Sequence, residues 1–485
     1  MLDSILQAIA DDMTPEAART FAEAAARFLA ESAGDRVPVT PAADAERLYA
    51  LTGGAFPDAG RPLADVLGEA ERLALANAIR LSHPMYLGHQ VSAPLPVAVW
   101  ADTLISAMNN SLAVQEMSPA GTAIEARLIR WMCELAGLPG SAGGTFTSGG
   151  TEATFTALLA ARAAVRPDAW ADGLGPRPPV LVCGEHAHYA ITRAAGELGL
   201  GTSSVVPVPS AGFRMDAVGL ELVLDRLRDE GRDVMAVVAT AGSTPTGSFD
   251  DLEAIGTLCA ARGLWLHVDA AHGASALLAP RRRHLLRGLA HARSIAWDPH
   301  KMMLMPLSAG MVLVRDERAL TQAFAQRAPY LFHDEGTGRT WDTGPRSFAC
   351  SRRFDALKVW MALQRHGADG IGALFDHLSD LAAGLHDRVT DSAEFEAIHQ
   401  PECNILCFRW LGDGRRSDAE LDDLNRLVRQ QYNRSGEGWI TATRLNGRQV
   451  LRVTVMNPRT TPAHLDRLLE GLAREGQALL AGGGA

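Results

Sequence analysis

The run Leu264-Trp265-Leu266-His267-Val268 ends in Asp269-Ala270-Ala271-His272, and about thirty residues later Ser294-Ile295-Ala296-Trp297 ends in Asp298-Pro299-His300-Lys301. Each apolar run reads as a short buried strand. Strand ends of a mostly parallel sheet share one edge, so a carboxylate, an imidazole and a lysine amine are delivered to the same place. That combination suits pyridoxal phosphate. A lysine beside a histidine can bond to the cofactor aldehyde, and a buried aspartate can keep the pyridine nitrogen protonated so that the ring withdraws electrons.

Working outward, the same alternation of helical pattern and short apolar run extends from roughly Leu95 to Val359, through Val180-Leu181-Val182-Cys183, Met235-Ala236-Val237-Val238-Ala239 and Met311-Val312-Leu313-Val314. It predicts an α/β fold, a mostly parallel sheet with helices on both faces. Residues before about Pro94 are Ala-rich with helical spacing, as in Pro15-Glu16-Ala17-Ala18-Arg19-Thr20-Phe21-Ala22, and are broken at Gly53-Gly54 and between Pro57 and Pro62. Beyond the helix starting near Asp355, helices mix with strands such as Asn404-Ile405-Leu406-Cys407-Phe408 and Leu451-Arg452-Val453-Thr454-Val455. The expected division is therefore a helical segment over 1–94, a large cofactor-binding domain over 95–365 and a smaller α+β lobe over 366–485.

Composition limits the function. With 485 residues, 47% hydrophobic and 21% charged, the chain has material for a large core and more than one lobe. A net charge of -10 and the lack of a basic stripe argue against nucleic acid or an anionic membrane as partner. Neither a basic segment with an apolar core at the start nor a bilayer-length apolar run elsewhere is found, so a cytoplasmic location is expected. The six cysteines are scattered and mostly flanked by apolar residues, as structural thiols of a reducing compartment are.

An anion cradle is predicted at Thr147-Ser148-Gly149-Gly150-Thr151-Glu152-Ala153, where a Gly-rich turn enters a helix, although the same pattern also makes an ordinary cap. His188, in Glu185-His186-Ala187-His188-Tyr189, follows a strand end, where an imidazole can lie on a cofactor ring and move a proton; a capping histidine is the plainer reading. His186 and His188 point to opposite faces of an extended segment, so no metal site is expected. The turn Thr240-Ala241-Gly242-Ser243-Thr244 offers hydroxyls to the ring, or is only a polar turn.

Taken together, these motifs occur in the order and spacing of the group II pyridoxal-phosphate amino-acid decarboxylases, which the chain resembles over nearly its whole length, from His83-Pro84 through Arg352-Arg353-Phe354-Asp355 to Leu451-Arg452. The family includes the glutamate, aromatic amino acid, cysteine sulfinate and 2,4-diaminobutyrate enzymes. The resemblance implies the aspartate aminotransferase-like fold, fold type I, and assigns roles. Lys301 is the lysine that bonds the cofactor, Asp269 the partner of the pyridine nitrogen, Ala271 the small residue under the ring and His188 the stacking residue on the other face. Gly150 and Thr151 hold phosphate with His300 beside them. Arg452 receives the substrate α-carboxylate, Arg352 supports the cofactor region and Tyr330 is the loop tyrosine that protonates the substrate carbon. A tyrosine at 330 implies an amine product, since phenylalanine there accompanies oxidative formation of an aldehyde.

Departures are His272-Gly273, where an aromatic residue and glycine are common, and Ser351 in place of glycine. His272 is read as a hydrogen-bonded spectator, a supporting donor or an additional acid-base group. Substrate choice is expected in His83-Pro84-Met85-Tyr86-Leu87-Gly88-His89-Gln90, where polar His89 and Gln90, with Tyr86, lean toward a small acidic or polar side chain. Diamino and aromatic acids are the alternatives, followed by an aldehyde-forming oxidative enzyme and a non-catalytic binding protein. The family further implies a homodimer with shared active sites.

Overall fold

The computed structural model describes residues 1–41, 44–53, 55–324 and 341–482. They form two compact units, one built from Met1–His89, Asp387–Ala397 and Phe408–Ala485, the other from Gln90–His386 and Ile398–Cys407. In chain order the strands are β1 (Tyr86–Leu87), β2 (Gly143–Thr147), β3 (Val180–Gly184), β4 (Val205–Val208), β5 (Ser210–Ala211), β6 (Arg214–Met215) and β7 (Val234–Thr240). They continue with β8 (Trp265–Asp269), β9 (Ser294–Trp297), β10 (Gly310–Val314), β11 (Phe395–Ala397), β12 (Ile405–Trp410), β13 (Trp439–Leu445) and β14 (Arg448–Thr454).

The larger unit carries a seven-stranded sheet in the order β2-β10-β9-β8-β7-β3-β4. From β9 to β4 every pairing is parallel, and β10 runs antiparallel to both of its neighbours. Strands β2, β8, β9 and β10 are buried at every position, as strands covered on both faces must be. The helix Gly150–Val165 packs across the sheet, with Ala153 and Ala157 against Ala296, Val312, Val314 and Leu320. Small side chains on both partners let that helix approach the strands closely, which fixes where its N-terminus stands.

The smaller unit contains the sheet order β1-β13-β14-β12-β11, to which β12 contributes Phe408–Trp410. Strand β1 pairs in parallel with β13, Tyr86 opposite Trp439 and Leu87 opposite Ile440. Val39 N donates to Gly436 O at 2.9 Å and Thr40 Oγ1 to Asn433 O at 3.0 Å. These long-range bonds join the N-terminal segment to the C-terminal strands, whereas the sequence suggested separate 1–94 and 366–485 bodies. The boundary expected at 365 also differs. The helical stretch Ala356–Asp391 turns at Gly367, whose φ of +68° suits glycine, yet continues in the larger unit to His386. It is held there by Arg282 to Asp376 at 2.8 Å and to Asp380 at 2.7 Å.

Candidate active site

The C-terminal ends of β2, β3, β7, β8 and β9 and the turns that follow them surround a cavity of about 380 Å³ in the larger unit. Its lining includes Gly150, Thr151, His188, Thr244, Asp269, Ala271, His300 and Lys301, so the structure brings together every residue expected from sequence to hold the cofactor. The volume lies in the range of small-molecule sites. Thr240, Gly242, His272, Asp298 and Leu307 also line it, and none of these was given a defined role by the sequence reading.

At the cradle the backbone has to come close. A Cβ on Gly150 would stand 2.9 Å from the Ala271 Cβ and 3.0 Å from Asp298 Oδ2, so no larger residue fits without movement. The neighbouring His300 is fixed by a reciprocal pair of bonds: its N–H donates to Ala309 O and its Nδ1 accepts the Ala309 N–H, both at 3.1 Å. With Nδ1 accepting, Nε2 is the ring nitrogen left to donate, and it lies 3.4 Å from Asp298 Oδ2. Lys301 Nζ is 3.2 Å from the same oxygen. Asp269 Oδ1 accepts the Ala271 N–H at 3.2 Å, which aims the end of β8.

His188 is kept below the ordinary histidine range chiefly by burial; the Lys301 charge lowers it further while Asp269 and Asp298 oppose. It is therefore neutral at pH 7, suited to face an aromatic ring and to exchange a proton. Below the cavity, Asp250 accepts the N–H of Met215 and of Thr240, each at 2.7 Å, so the last residue of β7 is held by a carboxylate. The turn beyond β7 carries a hydroxyl chain, Ser243 to Thr246 to Ser248, with steps of 2.8 Å. His272 Nε2 is 2.7 Å from Asn404 Oδ1, which makes it a hydrogen-bonded residue of the cavity wall.

Arg352 lies outside the cavity lining and binds Glu125 at 2.7 and 2.9 Å. Glu125 in turn accepts the Phe146 N–H at 3.3 Å, one residue before β2 ends. Tyr330 lies outside the described residues.

The smaller unit gathers the residues expected to meet substrate, except Gln90, which belongs to the larger one. Tyr86 stacks on Trp439 with centroids 5.4 Å apart, and His89 tilts against the same indole at 4.9 Å. Arg429, on the helix Asp418–Ser435, stands 5.6 Å from that ring, a contact the sequence does not announce because the helix's amphipathic spacing gives no sign of it. Arg452 Nη1 donates to Thr441 Oγ1 at 3.3 Å across the β13–β14 pair. Burial first, then the Arg452 and Arg429 charges, lower the pKa of His89.

These residues fit pyridoxal phosphate on their donor set: an amine for the aldehyde, a carboxylate for the ring nitrogen, and free-approach glycines at a helix start for the phosphate. Comparison with known proteins agrees. Residues 46–411 match the family described as the pyridoxal-dependent decarboxylase conserved domain. The chain is 35% identical over 427 residues to the L-2,4-diaminobutyrate decarboxylase of Rhizobium meliloti (strain 1021), covering 87% of this chain and 84% of that protein. It is 32% identical over 424 residues to the human cysteine sulfinic acid decarboxylase, covering 84% and 85%. The crystal structure of mouse CSAD superposes with a TM-score of 0.89 at 28% identity, over 96% of this chain and 99% of that one.

Proposed function

The chain belongs to the pyridoxal-dependent decarboxylase family and is a pyridoxal-phosphate-dependent amino-acid carboxy-lyase, and we propose that its substrate is a short L-amino acid with an acidic side chain, of the aspartate or glutamate type. The observation that carries this reading is the charge around His89: both groups that act on it, Arg452 and Arg429, are cations. A site for a diamino acid has to pair a side-chain ammonium, whereas the Arg429 cation that remains once Arg452 has taken the α-carboxylate suits an anionic side chain.

In this reading Arg452 takes the α-carboxylate and His89 with Tyr86 faces the side chain, with Gln90 contributing an amide. Gly150, Thr151 and His300 hold the phosphate, and Thr244 and Ala271 flank the ring. With the cofactor bound, Asp269 would hold a proton on the pyridine nitrogen, Lys301 would be the amine that meets the aldehyde, and His188 would cover the ring and exclude water. When bound, pyridoxal phosphate supplies the electron sink for the pair left as the bond to the carboxyl carbon breaks. Tyr330 is the proposed donor of the proton that replaces CO2, which yields an amine.

A second reading, a short diamino acid, is favoured by the 35% identity to the Rhizobium meliloti enzyme. The two are separated by incubating the holoenzyme with a pool of L-amino acids and following amines by mass together with dissolved oxygen. β-Alanine or 4-aminobutyrate without oxygen uptake supports the first reading and 1,3-diaminopropane the second. An aldehyde with oxygen uptake overturns the role given to Tyr330.

We further propose a cytoplasmic homodimer. Among the described residues no helix is long and apolar enough to cross a membrane. The helix Leu2–Asp12 leaves Leu2, Ile5, Leu6 and Ile9 exposed at helical spacing, and this uncovered stripe fits a second copy of the chain.

A further inference from the structure

Asp298 is only 1% exposed at its side chain, less than Lys301 at 20% or His300 at 9%, and it stands on the anion cradle itself. Its Oδ2 accepts the Gly150 N–H at 2.9 Å, the first amide of the helix Gly150–Val165. The same oxygen is 3.2 Å from Lys301 Nζ. Oδ1 is buried as well and has no hydrogen-bond partner among the described residues. Burial opposes ionisation, but the Lys301 charge, the His300 imidazole and the Gly150 amide outweigh it and keep the carboxyl below its ordinary range, so it is an anion throughout the neutral pH range.

We propose that Asp298 is a resident anion that competes with the cofactor phosphate for the Gly150 amide and the surrounding positive charge, and so sets the affinity with which the site holds pyridoxal phosphate. The proposal rests on placing the phosphate at the Gly149–Thr151 turn. A helix start attracts one anion well, and a carboxylate already bonded to its first amide repels a second. Glu152 contrasts with it. Its carboxylate accepts the Ser148 N–H at 2.8 Å in the same turn, but on the exposed side, where water screens its charge. Asp298 has no such screening, because the groups facing it are Lys301, His300, the Gly150 amide and, at longer range, His188.

The consequence differs for two forms of the cofactor. Loss of the Asp298 charge should strengthen binding of pyridoxal phosphate and leave pyridoxal, which lacks the phosphate, nearly unchanged. If Asp298 only positioned Lys301, its loss would weaken both.

Holoenzyme and its Asp298→Asn variant are stripped of cofactor and titrated with pyridoxal phosphate and with pyridoxal, following the absorbance of the lysine-bound form. The expected result is a roughly tenfold or greater fall in Kd for pyridoxal phosphate in the variant and a change within about twofold for pyridoxal. Inorganic phosphate, measured by calorimetry on the stripped proteins, should itself bind the variant correspondingly more tightly than the parent. An unchanged Kd, or a parallel weakening of both ligands, overturns the proposal. Equal affinity of the parent protein for pyridoxal and pyridoxal phosphate is a separate failure, that of the phosphate assignment. Thermal unfolding checks that the variant is folded, and Asp298→Ser, smaller and equally uncharged, takes its place if it is not.

Discussion

His267 and Asp250 lie in the same unit as the cavity and should pull its stability in opposite directions with pH. Burial pushes His267 down to about 4 from 6.5, with the nearby Asp269 opposing. Between those values the unfolded chain binds a proton that the folded one refuses, so stability rises with pH across that window and is lost as pH falls toward 4. The interval corresponds to about 3 kcal/mol. Burial raises Asp250 to about 6 from 3.8, with its two backbone N–H donors opposing. Here the folded state keeps a proton that the unfolded chain has lost, so stability falls as pH rises from 3.8 to 6, again by about 3 kcal/mol. The two nearly cancel in the parent protein. His267→Gln, which retains a polar partner for Ser294 Oγ, should lose stability as pH rises from 4 to 6 relative to the parent. Asp250→Asn should gain it over the same interval. Urea midpoints of holoenzyme at pH 4.5, 5.5, 6.5 and 7.5 give the two slopes, and comparison with the parent removes every other titrating group. Parallel curves for all three proteins would refute the assignment of these protons.

Glu125→Ala leaves Arg352 buried with its main partner gone, and should cost about 3–5 kcal/mol, readable as a fall in urea midpoint, with cofactor loss at lower denaturant because the end of β2 loosens. Arg452→Lys should raise KM for the substrate about tenfold or more with a smaller change in kcat, since a point charge replaces a planar fork at the carboxylate; steady-state CO2 release decides it. Ile5→Asp with Ile9→Asp places charges on the uncovered stripe of the first helix and should move the sedimentation coefficient toward that of a monomer, with a dimer of undiminished strength refuting that interface.

The legible part of this molecule was local. Asp269, Lys301, His188 and Gly150 each sit within a few residues of an apolar run, and a strand end is a position that sequence can mark. Their convergence then follows from the parallel sheet. What was not legible needed pairing over long distances. β1 is two residues long, and nothing in Tyr86-Leu87 announces a partner near Trp439, so the N-terminal helices read as a body of their own. Arg429 reaches Trp439 from a helix whose pattern is merely amphipathic. Asp298 was in plain view within the motif, but its meaning depends on Gly150, 148 residues away in sequence, bringing an amide to it.

Three acidic side chains hold the rim of the cavity by one device. Asp250 takes the amide of Thr240 at the end of β7, Asp269 that of Ala271 after β8, and Glu125 that of Phe146 near the end of β2. Strand ends are where ladder bonding runs out and amides are left over. Water could satisfy them only if the cavity floor were wet, and a wet floor would weaken every charge the reaction uses. A buried carboxylate solves this at a cost in desolvation, because a charge-assisted bond to an amide is roughly twice as strong as a neutral one. The cost is visible in Asp250, whose proton is held to about pH 6. Asp298 uses the same bond at the cradle, but there the amide it satisfies is one that a phosphate also seeks. A device that elsewhere only stiffens the scaffold thus stands, at this one position, in direct competition with the ligand the scaffold is built to hold.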